Sequence, residues 1–477
     1  MRKGAYILVP SVSASPAESK SAVSDRNGAN VETAQRSAHD GQLPPPAIPS
    51  EPGMTRFAIG HKTEFEPVVI TGIGLVTSTG LDRETAWQAI KDGRSGVQRL
   101  RGVPGIPDDF ILGATVDVPT DFPGQRKEFP LARRAAEEAI TDAGIDLANS
   151  DRDRFGCSIS GVMGDTSYVN QVCGRTDLLP DPHIKWWEQW LPNSCCWSVA
   201  QHFGFNGPRT SHSVACASGL VDALAAVRNI QDGQCDVALT GSSFAIDSLF
   251  ASGFQKMRVL AEHEDPAQAS RPFDAERSGF VMGEGAAMFI VERLSHAVAR
   301  GAKIYSEIAA AKMQGDAHHV TGLDQNSESL SYLISSTLRQ ARLRPADIGY
   351  INAHGTGTQQ NDAVETRAIR DALGTAANQV CVSSTKSMIG HLVCAAGSVE
   401  LAITALALRD GFFPPTINLT SPDPACDLDY LPLVGRRGAY EHALKISVAF
   451  GGHLVAFALR RWDEADSGFL VSDVSAA

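Results

Sequence analysis

Two segments of this chain repeat one another. VACASGLVDALAAVRNIQDG (214–233) lies on VCAAGSVELAITALALRDG (393–411) when Gly219 is set against Gly397. Val221 then meets Val399, Asp222 meets Glu400, Asp232 meets Asp410 and Gly233 meets Gly411. Both segments have helical spacing, with Leu220, Leu224, Val227 and Ile230 on one stripe of the first, and both stop at Asp-Gly. Their middles are nearly free of charge, as in helices buried on all sides. A chain with two such helices is expected to have two related halves that place them in a common core. Chance similarity of two Ala-rich helices is the competing explanation. The shared stop and the shared acidic position argue against it.

The surroundings fit that expectation. Order begins at Pro67, and VVITGIGLVTSTG (68–80) reads as a buried strand and a Gly-rich turn. Helical spacing follows at 84–91 and at 131–144, where Leu131, Ala135, Ala139 and Ile140 face inward. A strand then a loop is expected over 155–164 and a strand ending in a polar, Gly-rich loop over 348–358, with further strands at 236–243, 303–311, 380–384, 445–449 and 455–460 and helices at 327–341, 362–373 and 397–408. Strands alternating with helices predict an α/β fold with mainly parallel sheets. Gly72 and Gly74 invite a dinucleotide-binding reading, but the third glycine and the downstream acidic residue are out of place, so a tight turn is expected. Four of the six tryptophans lie between Trp186 and Trp197, a cluster suited to packing, to a subunit interface or to an apolar channel.

Composition excludes several classes. A net charge of −12 argues against general binding to nucleic acid or a membrane surface, and no apolar run is long enough to span a bilayer. Nine cysteines without a CxxC pair support neither a zinc ribbon nor a secreted disulfide framework, so a reducing cytoplasm is expected. Residues 1–53, rich in Ser, Ala, Pro and Gln, read as a disordered extension. The apolar AYILV near the start is too short for a signal peptide and is interrupted by Pro10; Met54 is a second candidate start.

Chemistry concentrates in three loops at strand ends. Cys216 sits where a β-branched run ending in Val214 turns into the first repeated helix. This is the pattern of a nucleophile elbow, and the positive end of the helix dipole favours a thiolate there. A buried, inert thiol is the plainer alternative. His354 lies in NAHGTGT, and Lys386 with His391 in STKSMIGH. No short ligand spacing supports a metal site, and a protease-like Cys–His pair would leave one histidine without a task.

The motifs VVITGIG, VACASG, RPFDAERSGFVMGEGA, RGAKIYSEI, NAHGTGTQQND, SSTKSMIGHLVCAAGSVE, PPTINL and FGG, in this order over about residues 67–462, resemble a β-ketoacyl-[acyl-carrier-protein] synthase of the type II branch. The resemblance implies the thiolase fold: two similar βαβαβαββ halves in a five-layered α-β-α-β-α arrangement, here 54–300 and 301–462, with a tail at 463–477. It implies Cys216 as the acyl-carrying nucleophile. His354 and His391 would assist decarboxylation of malonyl-carrier protein, Lys386 would order their site, and Glu400 would be its acidic companion. Thr356 and Thr358 would bind the phosphopantetheine arm. Phe450 would be a gate residue whose backbone N–H joins that of Cys216 in an oxyanion hole. It further implies an acyl carrier protein partner, a homodimer or a heterodimer with a related subunit, and no metal or other cofactor of its own.

Met163, Phe254 and Phe280 are candidates for the substrate cavity. Lys256 and Arg258, with Arg126 and Lys127, are candidates for docking the acidic carrier. One departure from the family pattern is His453-Leu454 after FGG, where an asparagine is usual two residues on. A non-catalytic chain-length subunit and a coenzyme-A-dependent thiolase are the competing functions. Intact Cys216, His354 and His391 argue against the first, and the lack of cysteine in FGGHL argues against the second.

Overall fold

Each half gives five strands to the ten-stranded sheet of the described residues. They are β1 (Val68–Thr77), β2 (Phe155–Ser160), β3 (Arg209–Thr210), β4 (Val237–Phe244) and β5 (Gly285–Arg293), then β6 (Ser306–Gly315), β7 (Ile348–Asn352), β8 (Cys381–Ser383), β9 (His442–Ala449) and β10 (His453–Arg461). The computed structural model describes residues 66–103, 105–122, 125–162 and 187–463. The ladder runs β8-β7-β9-β10-β6-β1-β5-β4-β2-β3. Counted within its own half, each set of five has the order 3-2-4-5-1, and the two sets meet at their first strands, with Val69 opposite Glu307 and Ile70 opposite Ser306. The repeat seen in two helices therefore extends to the strand order of both halves.

The sheets are mixed rather than mainly parallel. β2 runs parallel to β3 and β4, and β7 to β8 and β9, as helical crossovers require. The fifth strand of each half is antiparallel to both neighbours. In the second half the cause is local: only Phe450, Gly451 and Gly452 separate β9 from β10, which is room for a hairpin and not for a crossover.

Six helices set the layers: α1 (Glu128–Asp142), α2 (Ser218–Gln231), α3 (Ser248–Met257), α4 (Glu328–Gln340), α5 (Gln359–Leu373) and α6 (Ala396–Asp410). α1 covers the outer face of β1, β4 and β5, while α4 lies on β6 and β10 with α5 beside it. α2 and α6 pack on one another and on strands of both halves. This is the five-layered order expected of the thiolase fold. The two central helices cross at their matched glycines. A Cβ on Gly219 would lie 2.4 Å from Ser242 Oγ and 2.9 Å from Ser398 Oγ; one on Gly397 would lie 2.8 Å from Leu220 Cγ. One core cluster draws residues from both halves, and all described residues belong to one compact unit.

Gly72 and Gly74 make no turn. They lie within β1, where a Cβ would come within 2.2 Å of Ala139 O and 1.8 Å of Ala135 O, so they let α1 seat directly on the strand. The strand expected to end at Val214 is also shorter, covering only Arg209–Thr210. Beyond it the backbone bonds elsewhere: His212 N–H donates to the Asp222 carboxylate, and the Ser211 hydroxyl donates to Pro192 O.

Candidate active site

Cys216 lies in a single 3-10 turn, Ala215–Ala217, that runs into α2. Ala215 has φ +49°, a left-handed conformation that disfavours a side chain by about 1–2 kcal/mol. Ser218 locks it in place: Val214 N–H donates to Ser218 Oγ (2.9 Å), and that hydroxyl donates to Ala215 O (2.7 Å). Val393 repeats the strain with φ +45° at the corresponding point before α6. The elbow is therefore a property of the repeat, and one copy presents the thiol of Cys216.

That thiol opens into a cavity of about 470 Å³, shared with Phe254, Phe280, His354, Thr356, Thr358, His391 and Phe450. The Cys216 sulfur and one ring nitrogen from each histidine lie within 4.8 Å of one another. The imidazoles are nearly perpendicular (86°), with centroids 5.4 Å apart, and Phe280 meets His391 edge-on at 5.1 Å. Both histidines are 3% exposed.

Their tautomers follow from the hydrogen bonds. Val393 N–H donates to His391 Nδ1 (3.2 Å), and the Lys386 ammonium lies 3.5 Å from His354 Nδ1 while donating to His354 O (2.5 Å). A neutral imidazole whose Nδ1 accepts carries its proton on Nε2. Burial first, and then the Lys386 charge, hold both imidazoles well below the ordinary histidine range, so they are neutral near pH 7. The cavity thus receives two N–H donors. Cysteine and histidine are also zinc-type ligands. Here, however, the proton occupies the Nε2 lone pair a metal would need, and an ammonium rather than a carboxylate stands behind His354.

Burial pushes the Cys216 thiol up to about 12, against the pull of Lys386. The expectation of a thiolate favoured by the helix end thus meets an opposing effect, loss of solvent. The sulfur faces the backbone N–H groups of Cys216 and Phe450, the pair expected to form an oxyanion hole. Gly451 N–H donates to Val320 O and Asp316 N–H donates to Gly452 O, both at 2.7 Å. The FGG turn is thereby tied to the segment after β6, which lines the same cavity with His319, Thr321, Gly322 and Leu323.

Beneath the histidines lies a buried charge cluster. Glu400 takes Lys386 on Oε1 and Lys445 on Oε2, the latter at 2.6 Å; all three are wholly buried. Glu365 accepts from His354 N–H (2.6 Å) and Gly355 N–H (2.8 Å), and burial pushes it up to about 6. Asp362 accepts from Thr356 N–H (3.0 Å), so the NAHGTGT loop is folded around two carboxylates. The Thr356 and Thr358 hydroxyls are 2.9 Å apart at the cavity wall.

Sequence reasoning missed Lys445, Glu365, Asp362 and the 319–323 lining. A lysine inside the apolar strand HALKISVA, and acids four and seven residues past Thr358, the last residue of the loop, were the available signals.

Lys256 and Arg258 are exposed at the end of α3, whose Phe254 and Met257 line the cavity. Arg126 and Lys127 do not join them. Arg126 pairs with Glu128, and Lys127 pairs with Glu284 at 2.5 Å, because both carboxylates are buried and need a cation. Met163 and Trp186 lie outside the described residues; Trp197 is exposed on α-helical Ser194–Phe203.

Two family models match the chain: β-ketoacyl synthase, N-terminal domain, over residues 65–297, and β-ketoacyl synthase, C-terminal domain, over 305–420. The chain is 37% identical over 418 residues to the tetracenomycin polyketide synthase ketoacyl synthase alpha subunit of Streptomyces glaucescens, covering 84% of this chain and 98% of that one. It is 36% identical over 416 residues to 3-oxoacyl-[acyl-carrier-protein] synthase 2 of Synechocystis sp., covering 84% and 99%. Among solved structures, a type II polyketide ketosynthase in complex with its acyl-carrier protein and bound to a hexaketide superposes with a TM-score of 0.77 at 32% identity, over 84% of this chain and all of that one. With a cysteine elbow, two neutral histidines and a doubled 3-2-4-5-1 sheet in common cause, the chain belongs to the β-ketoacyl synthase family.

Proposed function

We propose that the chain joins a Cys216-bound acyl group to malonyl-[acyl-carrier protein], releasing CO2 and giving 3-oxoacyl-[acyl-carrier protein]. The observation that carries this is the convergence of one thiol and two neutral imidazole N–H donors in a buried cavity. In the first step Cys216 Sγ attacks the carrier thioester. The tetrahedral oxyanion is met by the Cys216 and Phe450 backbone N–H groups, and the carrier thiol leaves with the cysteine proton. In the second step the malonyl C–C bond to its carboxylate breaks, CO2 departs, and charge moves onto the thioester oxygen. His354 and His391 Nε2–H stabilise that oxygen; one such donor is worth about 10²–10³ in rate. The enolate carbon then attacks the acyl-cysteine and the thiolate is expelled.

Lys386 holds His354 from behind and Glu400 holds Lys386. Thr356 and Thr358 suit the phosphopantetheine arm, Phe254 and Phe280 line the acyl path, and Lys256 and Arg258 suit an acidic carrier. The substrate belongs to fatty-acid or polyketide synthesis, the two settings of its relatives. β3 ends the ladder with an unpartnered side among the described residues, which suits continuation into a second copy or a related subunit. A thiolase would need a second cysteine at the cavity. Cys394, the repeat's counterpart of Cys216, is not in the lining and directs its thiol at Ser243 O.

Intact-mass measurement after incubation with acyl-carrier protein, then malonyl-carrier protein, tests this. An acyl adduct that forms, disappears on malonyl addition and is absent in Cys216→Ala is expected. An adduct persisting in Cys216→Ala refutes the nucleophile.

A further inference from the structure

β9 carries one charged residue inside an apolar run, Lys445. Its ammonium is buried and lies 2.6 Å from Glu400 Oε2. It also reaches the carbonyl of Ala353, the residue before His354, at 3.3 Å, and that of Ile446. Lys386 holds the other oxygen of the same carboxylate and the carbonyl of His354 itself. One anion thus serves two buried cations, and both cations grip the backbone that carries His354. Glu365 is the second carboxylate that acts on Lys445, but without an ion pair, so two buried ammoniums share the one directly paired anion, an arrangement stability alone does not favour.

We propose that Lys445 is a positioning residue for the malonyl half-reaction: it pins Glu400 Oε2 and the Ala353 carbonyl, keeps Lys386 on His354, and sets a second positive charge beneath the oxygen on which the enolate forms. The inference rests on the function proposed above. The groups that face it are Glu400 on α6, Lys386 in the turn after β8, Glu365 on α5, and His354 and His391 in their loops. Burial, opposed by Glu400, brings the ammonium down to about 8. Above that pH it loses its charge, while the two histidines are already neutral and do not change.

The test uses enzyme already acylated on Cys216, so that the thiol no longer titrates, and follows release of labelled CO2 from malonyl-carrier protein across neutral to alkaline pH. The wild-type rate should fall above about pH 8. In Lys445→Met and Lys445→Gln the rate at neutral pH should drop about tenfold or more beyond any change in the acylation step, and the alkaline fall should vanish. A wild-type rate that stays level through the alkaline range overturns the proposal even if neither variant folds. A variant with the wild-type profile, or one that slows both half-reactions alike, also overturns it. Wild-type enzyme that takes no acyl group or releases no CO2 refutes the condensing function instead.

Discussion

Replacing His391 separates two ways in which an imidazole can serve this reaction. Its Nδ1 accepts from Val393 N–H, its proton stands on Nε2, and burial with the Lys386 charge keeps it neutral. It therefore acts as a fixed N–H donor and not as a titrating base. His391→Ala removes one of two fixed donors from the cavity, and a water in its place lacks their preset orientation. The loss should be about 10²–10³ in malonyl decarboxylation, about 2.7–4 kcal/mol at the barrier. It also leaves Val393 N–H without its acceptor, a separate destabilisation of about 1–3 kcal/mol read by urea unfolding. His391→Gln presents an amide N–H at similar reach and should recover most of the rate, to within about tenfold of wild type. The assay is labelled CO2 release by enzyme pre-acylated on Cys216. The wild-type rate should also stay level as pH falls through the ordinary histidine value of 6.5, because the imidazole is already neutral there. A Gln variant as slow as the Ala variant, together with a wild-type acid limb near 6.5 that the Gln variant lacks, would show that His391 works by proton transfer and refute the donor assignment; a limb kept in the variant belongs to Glu365 at about 6.

Alkylation of Cys216 by iodoacetamide should accelerate about tenfold per pH unit through the mildly alkaline range, since burial places the thiol at about 12; a plateau below about pH 9 contradicts this. Arg258→Glu should raise KM for carrier-bound substrates and spare a small-thiol substrate, and equal effects on both would discard the docking role. Glu292 on β5 should govern acid stability. Burial alone would raise it, but Arg300, His296 and Thr71 hold it at about 2, against an ordinary 4.5. Its contribution, about 3 kcal/mol, is complete above pH 4.5 and lost as pH falls toward 2. Glu292→Gln should therefore differ most from wild type in urea unfolding at neutral pH, and a gap that does not shrink on acidification refutes the assignment.

The features legible in the sequence were those written locally. The helix expected at 397–408 is Ala396–Asp410, because its apolar run and Asp-Gly stop are contiguous. Cys216, His354, Lys386 and His391 stood out because each interrupts a small or apolar strand end with a reactive group. The features missed depend on partners distant in sequence. Nothing near Lys127 reveals that Glu284, across the chain, needs a buried cation. Lys445 gains meaning only from Glu400, brought to it by the packing of α6 on β9. Gly72 and Gly74 look like turn glycines until α1 lies against them. The helix α3, which carries Phe254 and Lys256, has apolar residues but a short span, and the sequence reading passed over it.

The crossing of α2 and α6 bears on how the chain reaches this state. α6 is buried along almost its whole length and has no polar face to offer water. Its neighbours are α2 and strands of both halves, so neither half alone can sheathe its own central helix. During synthesis the first half must wait, with α2 uncovered, until α6 has been made about 180 residues later, a spacing set by the repeat itself. Long-range closure of this kind is slow and exposes aggregation-prone surface. A chain ended near residue 300 should accordingly be captured by chaperones or aggregate, and adding the second half as a separate chain should rescue it only if the two are made together. Duplication has thus tied catalysis to cooperativity: the thiol of Cys216 meets His354 and His391 only when the other half arrives.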